Sequence, residues 1–142
     1  MEKVIVRQDK HFGTGFWAKD PDQPDVEEYQ PVHHIHDLTP YGMLLASLGS
    51  CTAIVLHTYA QHHGVDLQEV ELRLEYKGVF DEDCENCEEI EEYEEQISEE
   101  IVLVGDLAVG EREKLLHIAH QCPIYKMLKD GMELGSYLAT ES

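Results

Sequence analysis

Apolar and polar residues alternate along several short segments of the chain, and this period of two is typical of half-buried strands. The first such segment is "KVIVRQ", and the glycine-containing "GTGFWAKD" follows it as a hairpin partner. The clearest alternation is in "VDLQEVELRLEYKGVF", and "ISEEIVLVGDL" resumes it as a second hairpin partner. The segment "HHIHDL" is weakly extended, and "MELGSYLAT" predicts a final strand.

A longer uncharged stretch, within "TPYGMLLASLGSCTAIVLHTYAQHHG", predicts a helix from Pro40 to about His63. Thr39 supplies a hydroxyl for the N-cap, proline suits the first helical position, and Gly64 suits the residue after the helix. The first four turns are apolar on nearly every face, which is typical of a helix surrounded by protein. The last two turns become polar and are expected to reach solvent.

A second helical segment, "GEREKLLHIAHQCPIYKMLKDG", contains Pro123, which predicts a break and a short further helix to Lys129. The order of the elements, with strand pairs on either side of the long helix, predicts an α+β fold in which antiparallel sheet surrounds one central helix. The 142 residues suit a single domain, 1–142, with a packed core.

The charge balance argues against several classes of partner. The chain has 30 Asp and Glu against 10 Lys and Arg, a formal net charge of -20, so we expect neither nucleic acid nor an anionic membrane surface as a partner. Residues 1–10 lack the apolar core of a signal peptide, and the apolar part of the long helix, 43–56, is shorter than the roughly 20 residues that span a bilayer. Four cysteines are too few for a disulfide scaffold. We therefore expect a cytoplasmic protein.

Residues 81–100 contain twelve acids and no Lys or Arg, and among them Cys84 and Cys87 form a Cys-X-X-Cys motif. The run is typical of a solvated hairpin loop, with a docking face for a basic partner as an alternative. Two cysteines are half of a zinc site, and no histidine follows at finger-like spacing. The neighbouring acids raise thiol pKa values, which disfavours a redox motif. We predict no metal and no cofactor, with a metal-binding module as a minor alternative.

Two other cysteines are the candidates for chemistry. Cys51 stands in the uncharged helix, where a free cysteine is usually a small buried hydrophobe. It lies beyond the first helical turn, so a reactive Cys51 requires a cation or hydrogen-bond donors from another segment. Cys122 precedes Pro123 at the break between the later helices. The two can form a disulfide only if their Cα atoms come within about 4.4–6.8 Å, which the sequence alone does not decide.

Together, "TPYGMLLASLGSCTAIVLHTYAQHHG" and "LVGDLAVGEREKLLHIAHQCPIYKML" resemble the OsmC/Ohr family of thiol-dependent peroxidases, over essentially the whole chain. The two anchors are "LGSCTA" in the apolar helix and the distal motif that begins at Cys122. The resemblance implies that Cys51 is the peroxidatic thiolate and that Cys122 resolves it as a disulfide. It also implies an intertwined homodimer in which the long helices pack centrally and both subunits build each active site.

The implied function is the reduction of organic hydroperoxides in oxidative stress. Cys51 becomes a sulfenic acid, Cys122 condenses with it, and an external dithiol reduces the disulfide. Active members of the family hold an arginine from the N-terminal sheet against the thiolate, through a Glu near the start of the cysteine helix. Arg7 is the candidate arginine, but the corresponding helix start, 40–42, has no acid. This departure favours an alternative, a catalytically weak binding or stress-related protein with the same fold and an apolar pocket at the dimer interface.

Overall fold

The structure is a computed structural model that describes residues 1–20, 22–23, 25–78 and 95–140. Within these residues the strands are β1 Glu2–Asp9, β2 Thr14–Ala18, β3 Gln30–Pro31, β4 Leu67–Lys77 and β5 Gln96–Gly105. They form one sheet in the order β3-β2-β1-β4-β5, and every neighbouring pair is antiparallel. Both predicted hairpins, β1–β2 and β4–β5, are confirmed.

The helices are α1 Pro40–His63, α2 Val109–Ala119 and α3 Pro123–Asp130. Along one face of the sheet, α1 packs against β1 and β4, and α2 and α3 also pack against α1. The predicted α+β arrangement, an antiparallel sheet with one long helix, is therefore confirmed. The predicted break at Pro123 is confirmed as well, since α2 and α3 are separate helices.

The face of the sheet that meets α1, here called the inner face, is apolar because alternate residues of a strand point to the same side. Val4 and Val6 on β1 and Leu72 and Leu74 on β4 are at most 2 % exposed. Gly49 lets α1 approach closely, since a Cβ there would lie 2.7 Å from Val6 Cγ2 and 2.8 Å from Leu74 Cδ1. The helix and the sheet therefore share one close-packed core.

Both ends of α1 lie where the sequence predicts them. Thr39 Oγ1 accepts a hydrogen bond from the Gly42 backbone N–H at 3.0 Å, and Gly64 ends the helix in the left-handed conformation at φ 63°. The expectation that the last two turns reach solvent is only partly correct, because His57 is 1 % exposed. Its Nε2 lies 3.0 Å from the Gln8 carbonyl oxygen, so a buried hydrogen bond joins α1 to β1.

Among the described helices, α1 is the one that is long and apolar enough to cross a membrane by length and composition alone. Half of its most apolar window is buried inside the fold, and the core helix of a globular protein meets the same criteria. The expectation that no segment spans a membrane therefore stays a prediction.

Two segments differ from their predicted structure. The final strand predicted from "MELGSYLAT" is wrong, because residues 132–140 form no strand and pair with none of the described strands. Its apolar side chains are largely exposed, as with Leu134 at 83 % and Tyr137 at 95 %. The segment "HHIHDL" contains a 3-10 turn, Ile35–Asp37, instead of an extended segment. The Asp37 carboxylate closes this turn by accepting a hydrogen bond from the His34 backbone N–H at 3.1 Å.

Candidate active site at the cysteine pair

Cys51 and Cys122 are joined by a disulfide. Their Cα atoms lie 6.0 Å apart although 71 residues separate them in the chain, and this distance is usual for a disulfide. Cys122 is fully buried, whereas Cys51 is partly exposed. The structure thus brings together two of the three predicted site residues, and Cys51 is the more accessible of them.

The break between α2 and α3 positions Cys122. The Cys122 backbone N–H donates to the Ala119 carbonyl oxygen at 3.3 Å, and Pro123 begins α3, where its missing N–H is not needed. Leu115 and Ala119 on α2 are 0 % exposed and fix this helix to the core. Because α2 is anchored in this way, the turn after it directs Cys122 toward α1.

A cleft of about 450 Å³, here called the cysteine cleft, lies one helical turn from each cysteine. Leu48 lines it one turn before Cys51 in α1, and Tyr125 lines it one turn after Cys122 in α3. A second cleft of about 430 Å³ lies near the start of α1, and none of the predicted site residues lines it. The apolar walls of the cysteine cleft are Leu44, Leu48, Ile97, Ile101, Leu116 and Leu128.

A carboxyl group, that of Glu99 on β5, also lines the cysteine cleft. Its two oxygens accept hydrogen bonds from the Thr52 hydroxyl at 3.0 and 3.3 Å. Thr52 is fully buried and directly follows Cys51 in α1. Burial raises the pKa of Glu99 to about 7, although the Thr52 hydrogen bond acts in the opposite direction. The site therefore holds an acid that changes its protonation state near neutral pH.

Glu99 is not among the site residues predicted from the sequence, because there it counts as one of the acids of the run 81–100. The pairing of Glu99 with Leu74 on β4 places the two side chains on the same face of the sheet. Ile97 and Ile101, two residues before and after Glu99, line the same cleft. The signal that was present is a glutamate at an apolar position of the alternation "ISEEI".

Arg7, the third predicted site residue, lies on the other side of the sheet, here called the outer face. Its neighbour Val6 on β1 points to α1, so Arg7 points away from that helix. The Arg7 Nε donates to Glu71 Oε1 at 3.0 Å, and its guanidinium carbon lies 4.8 Å from the centroid of the Trp17 ring. Within one chain the structure does not bring Arg7 to Cys51.

No group of three or more His, Cys, Asp or Glu side chains stands in metal-binding geometry among the residues that the structure describes. Cys84 and Cys87, with most of the acidic run, lie outside those residues. The interpretations drawn from them, a solvated loop, a docking face and a metal-binding module, therefore stay predictions.

This chain is similar to known proteins both in sequence and in fold. A family model described as OsmC-like protein matches residues 33–136. An OsmC-like hydroperoxide resistance protein from Jannaschia sp. CCS1 has a similar structure, with a TM-score of 0.58 and 14 % identity, over 99 % of this chain and 95 % of that chain. The organic hydroperoxide resistance protein OhrB of Bacillus subtilis is similar with a TM-score of 0.51 and 14 % identity, over 92 % of each chain. No curated protein matches the sequence.

The matched region contains all of α1, β4 and β5, and it contains both cysteines of the disulfide. It covers well over half of the 142 residues. The two similar structures share the arrangement of a sheet and a long helix. Because their sequences are only 14 % identical to this one, this similarity shows a common fold and nothing more. The resemblance seen in the sequence is thereby confirmed, and this chain belongs to the OsmC-like protein family.

Proposed function

We propose that this protein reduces organic hydroperoxides through a cycle in which Cys51 and Cys122 alternate between two thiols and a disulfide. The observation that carries the proposal is the disulfide, which joins a buried cysteine to a more exposed one and lies one helical turn from a cleft with aliphatic walls. The two structural neighbours are hydroperoxide resistance proteins by name, which supports the same class of substrate.

In the reduced protein, the Cys51 thiolate attacks the distal oxygen of the hydroperoxide. The O–O bond breaks, an S–O bond forms, and the alkoxide that leaves takes up a proton to become an alcohol. The Cys122 thiol then attacks the Cys51 sulfenic acid, releases water and forms the disulfide. An external dithiol reduces this disulfide by thiol exchange and is itself oxidised to a disulfide.

The cysteine cleft favours a hydroperoxide with an alkyl or lipid chain over hydrogen peroxide. Aliphatic side chains from α1, β5, α2 and α3 line it, and each CH₂ group of a substrate that they remove from water contributes about 0.8 kcal/mol. Hydrogen peroxide has no apolar part to gain from these walls. The substrate class in this proposal therefore follows from the composition of the cleft.

The proposal includes a homodimer located in the cytoplasm. One chain leaves Tyr41 and Ile54 on α1 about half exposed, and the segment after α3 is more exposed still. A second copy would cover such apolar surface. The predicted role of Arg7 as the cation that activates Cys51 also requires a second copy, because Arg7 points away from the cysteine of its own chain.

A second candidate function is a binding or stress-related protein of the same fold with weak catalysis. Two observations favour it. The start of α1 has no acid at 40–42, and Arg7 points away from the helix that carries Cys51 in the same chain. In that case the cleft would bind apolar molecules without reaction at the cysteines.

The first test is to treat the reduced protein with cumene hydroperoxide and to map its peptides by mass spectrometry. We expect a disulfide between Cys51 and Cys122 and one alcohol for each hydroperoxide consumed. Cys51→Ser should lose hydroperoxide consumption, because the attacking sulfur is gone. Cys122→Ser should complete one turnover and leave a Cys51 sulfenic acid that dimedone traps.

The matched control is a variant with both Cys84→Ser and Cys87→Ser, which should form the same disulfide at the same rate. If Cys51 and Cys122 stay unlinked after treatment of the reduced protein, the peroxidase proposal is wrong. Binding of an apolar fluorescent probe to a protein whose thiols stay reduced would favour the second candidate instead.

A further inference from the structure

We propose that Glu99 is a catalytic acid–base residue of the cysteine cleft, which gives its proton to the alkoxide released when Cys51 attacks a hydroperoxide. The inference rests on the proposed peroxidase function. It assigns a chemical role to a carboxyl group that comes from β5, an element different from those that carry the two cysteines.

The position of Glu99 is the first argument. Its oxygens bond to the hydroxyl of Thr52, the residue that follows Cys51 in α1. Glu99 also lines the cysteine cleft together with Leu48, which lies one turn before Cys51. Neither cysteine lines the cleft, but both lie within one helical turn of its lining residues Leu48 and Tyr125. A hydroperoxide that reaches the Cys51 sulfur from this cleft would therefore have the Glu99 carboxyl group in the same cavity as a source of the proton that the leaving oxygen needs.

The charges around Glu99 are the second argument. No ion pair joins Glu99 to a cation within the described ranges of the chain, and burial raises its pKa to about 7. Such a group is protonated in part of the molecules at neutral pH, as a proton donor must be. The titratable groups that line the same cleft are Tyr76 from β4, Glu95 before β5, His120 from the α2–α3 turn, and Tyr125 and Lys129 from α3.

The proposed reaction needs one proton when the alkoxide leaves and returns one proton later in the same cycle. The Cys51 thiolate attacks the distal oxygen, the O–O electron pair leaves with the alkoxide, and protonated Glu99 converts the alkoxide into an alcohol. Condensation of the sulfenic acid with the Cys122 thiol releases water. When the external dithiol has restored the Cys51 thiol, the Glu99 carboxylate accepts its proton. This step regenerates both the thiolate and the protonated acid.

A structural role for Glu99 has a different signature. The hydrogen bond from Thr52 also ties α1 to β5, and glutamine in place of Glu99 would still accept that bond through its amide oxygen. Glutamine cannot donate a proton to an alkoxide. Glu99→Gln therefore separates the two roles, and Glu100→Gln is the matched control. Glu100 is the next residue and bonds to Arg73 on the outer face at 2.6 Å.

The experiment measures the rate constant for oxidation of the reduced full chain by cumene hydroperoxide between pH 5.5 and 9, a range chosen to bracket a pKa of about 7. Alkylation rates of Cys51 in the Cys122→Ser variant give the fraction of Cys51 that is thiolate at each pH. Each oxidation rate constant is divided by this fraction, so that the corrected rate no longer depends on the ionisation of Cys51. We expect the corrected rate of wild type to fall above about pH 7, as Glu99 loses its proton. Glu99→Gln should be at least about tenfold slower at pH 6 and should approach wild type at pH 9.

The ratio of the wild-type rate to the Glu99→Gln rate decides the outcome. A ratio that is the same at every pH, or a ratio of one, overturns the role of Glu99 while leaving the peroxidase function intact. If wild type itself does not oxidise Cys51, the proposed function fails and this inference fails with it. Glu99→Asp keeps a carboxyl group, so its corrected rate should keep the fall with pH. A profile without that fall would also overturn the inference, even if the glutamine variant does not fold.

Discussion

Glu71 and Glu99 lie on adjacent strands of one sheet and face opposite sides of it. On the outer face, Glu71 accepts hydrogen bonds from Arg7 and Arg73, at 3.0 and 2.7 Å from their Nε atoms. On the inner face, the donor to Glu99 among the described residues is the uncharged hydroxyl of Thr52. The same residue type is therefore placed in an ionic network on one side and against an apolar core on the other.

The pKa values of the two carboxyl groups move in opposite directions for this reason. Burial tends to raise the pKa of Glu71, but the hydrogen bonds and charges of Arg7 and Arg73 outweigh it and lower the pKa. Burial raises the pKa of Glu99 to about 7, and the hydroxyl of Thr52 offsets only part of that effect. Partial burial alone therefore does not decide whether the pKa of a carboxyl group rises or falls. The charges that neighbouring strands place on the same face of the sheet decide it.

The largest expected effect is a loss of stability in Gly49→Ala, which tests how closely α1 packs against the inner face of the sheet. Gly49→Ala would place a Cβ 2.7 Å from Val6 Cγ2, and overpacking of this kind lowers the free energy of unfolding by about 2–3 kcal/mol. Urea unfolding measures it. The control is Gly110→Ala in α2, where nothing lies within 4 Å of the added methyl group. It should leave stability unchanged or raise it by up to about 1 kcal/mol. Equal losses in both variants would show that the inner face is not tightly packed.

The second effect concerns the pH dependence of stability on the inner face. A carboxyl group whose pKa is raised in the folded state, here from 4.5 to about 7, binds more protons when folded than when unfolded. Stability therefore falls as pH rises from about 4.5 to about 7, and one pKa unit corresponds to about 1.4 kcal/mol. After discounting for partial exposure, we expect wild type to lose roughly 1–2 kcal/mol that Glu99→Gln does not lose. If stability changed with pH in the same way for the two proteins, Glu99 would not be a partly buried carboxyl group with a raised pKa.

The smallest effect is the contribution of Glu71 on the outer face to stability, which increases with rising pH, whereas that of Glu99 decreases. Because the folded pKa of Glu71 is lowered from 4.5, its contribution is present above about pH 4.5 and is lost as pH falls through the folded value. Glu71→Gln should cost about 0.5–1 kcal/mol at pH 7 and less at high salt. Glu75→Gln is the control, since Glu75 lies at 3.9 Å from the Lys3 Nζ in a weaker pair. A salt-independent loss for Glu71→Gln would mean that charge is not the cause.

Much of the fold follows from signals that are local in the sequence. The N-cap hydroxyl, the proline after it and the glycine at the far end define α1 at both termini, because each acts on the backbone within one turn. Strict alternation predicts β4 correctly, and Pro123 predicts the break between α2 and α3. The predicted strand after α3 is wrong. Alternation of apolar and polar residues shows only that a segment could join a sheet, and a strand forms only where a second strand is available to pair with it.

The candidate site also has a part that the sequence predicts and a part that only the fold reveals. The resemblance to OsmC-like proteins rests on the sequence around each cysteine, and it identifies Cys51 and Cys122 without any distance between them. For both Glu99 and Arg7, the face of the sheet that the side chain occupies is decided by the fold, for a common reason. Which face of a sheet a side chain occupies depends on the register of its strand with the neighbouring strand, and a shift of one residue reverses it.

The sequence by itself determined the α+β class and the limits of the long helix, since periodicity and capping are short-range properties. The negative charge follows from composition, and the resemblance to a known family identified the two cysteines worth testing. Only the tertiary structure decided that the cysteines meet and that Arg7 faces away from them. It also decided that one glutamate of the acidic run is turned toward the core. These are contacts between residues far apart in the chain, and they depend on how the sheet, α1 and the α2–α3 turn pack together. The close approach of α1 to β1 and β4, together with its contacts to α2 and α3, sets that packing.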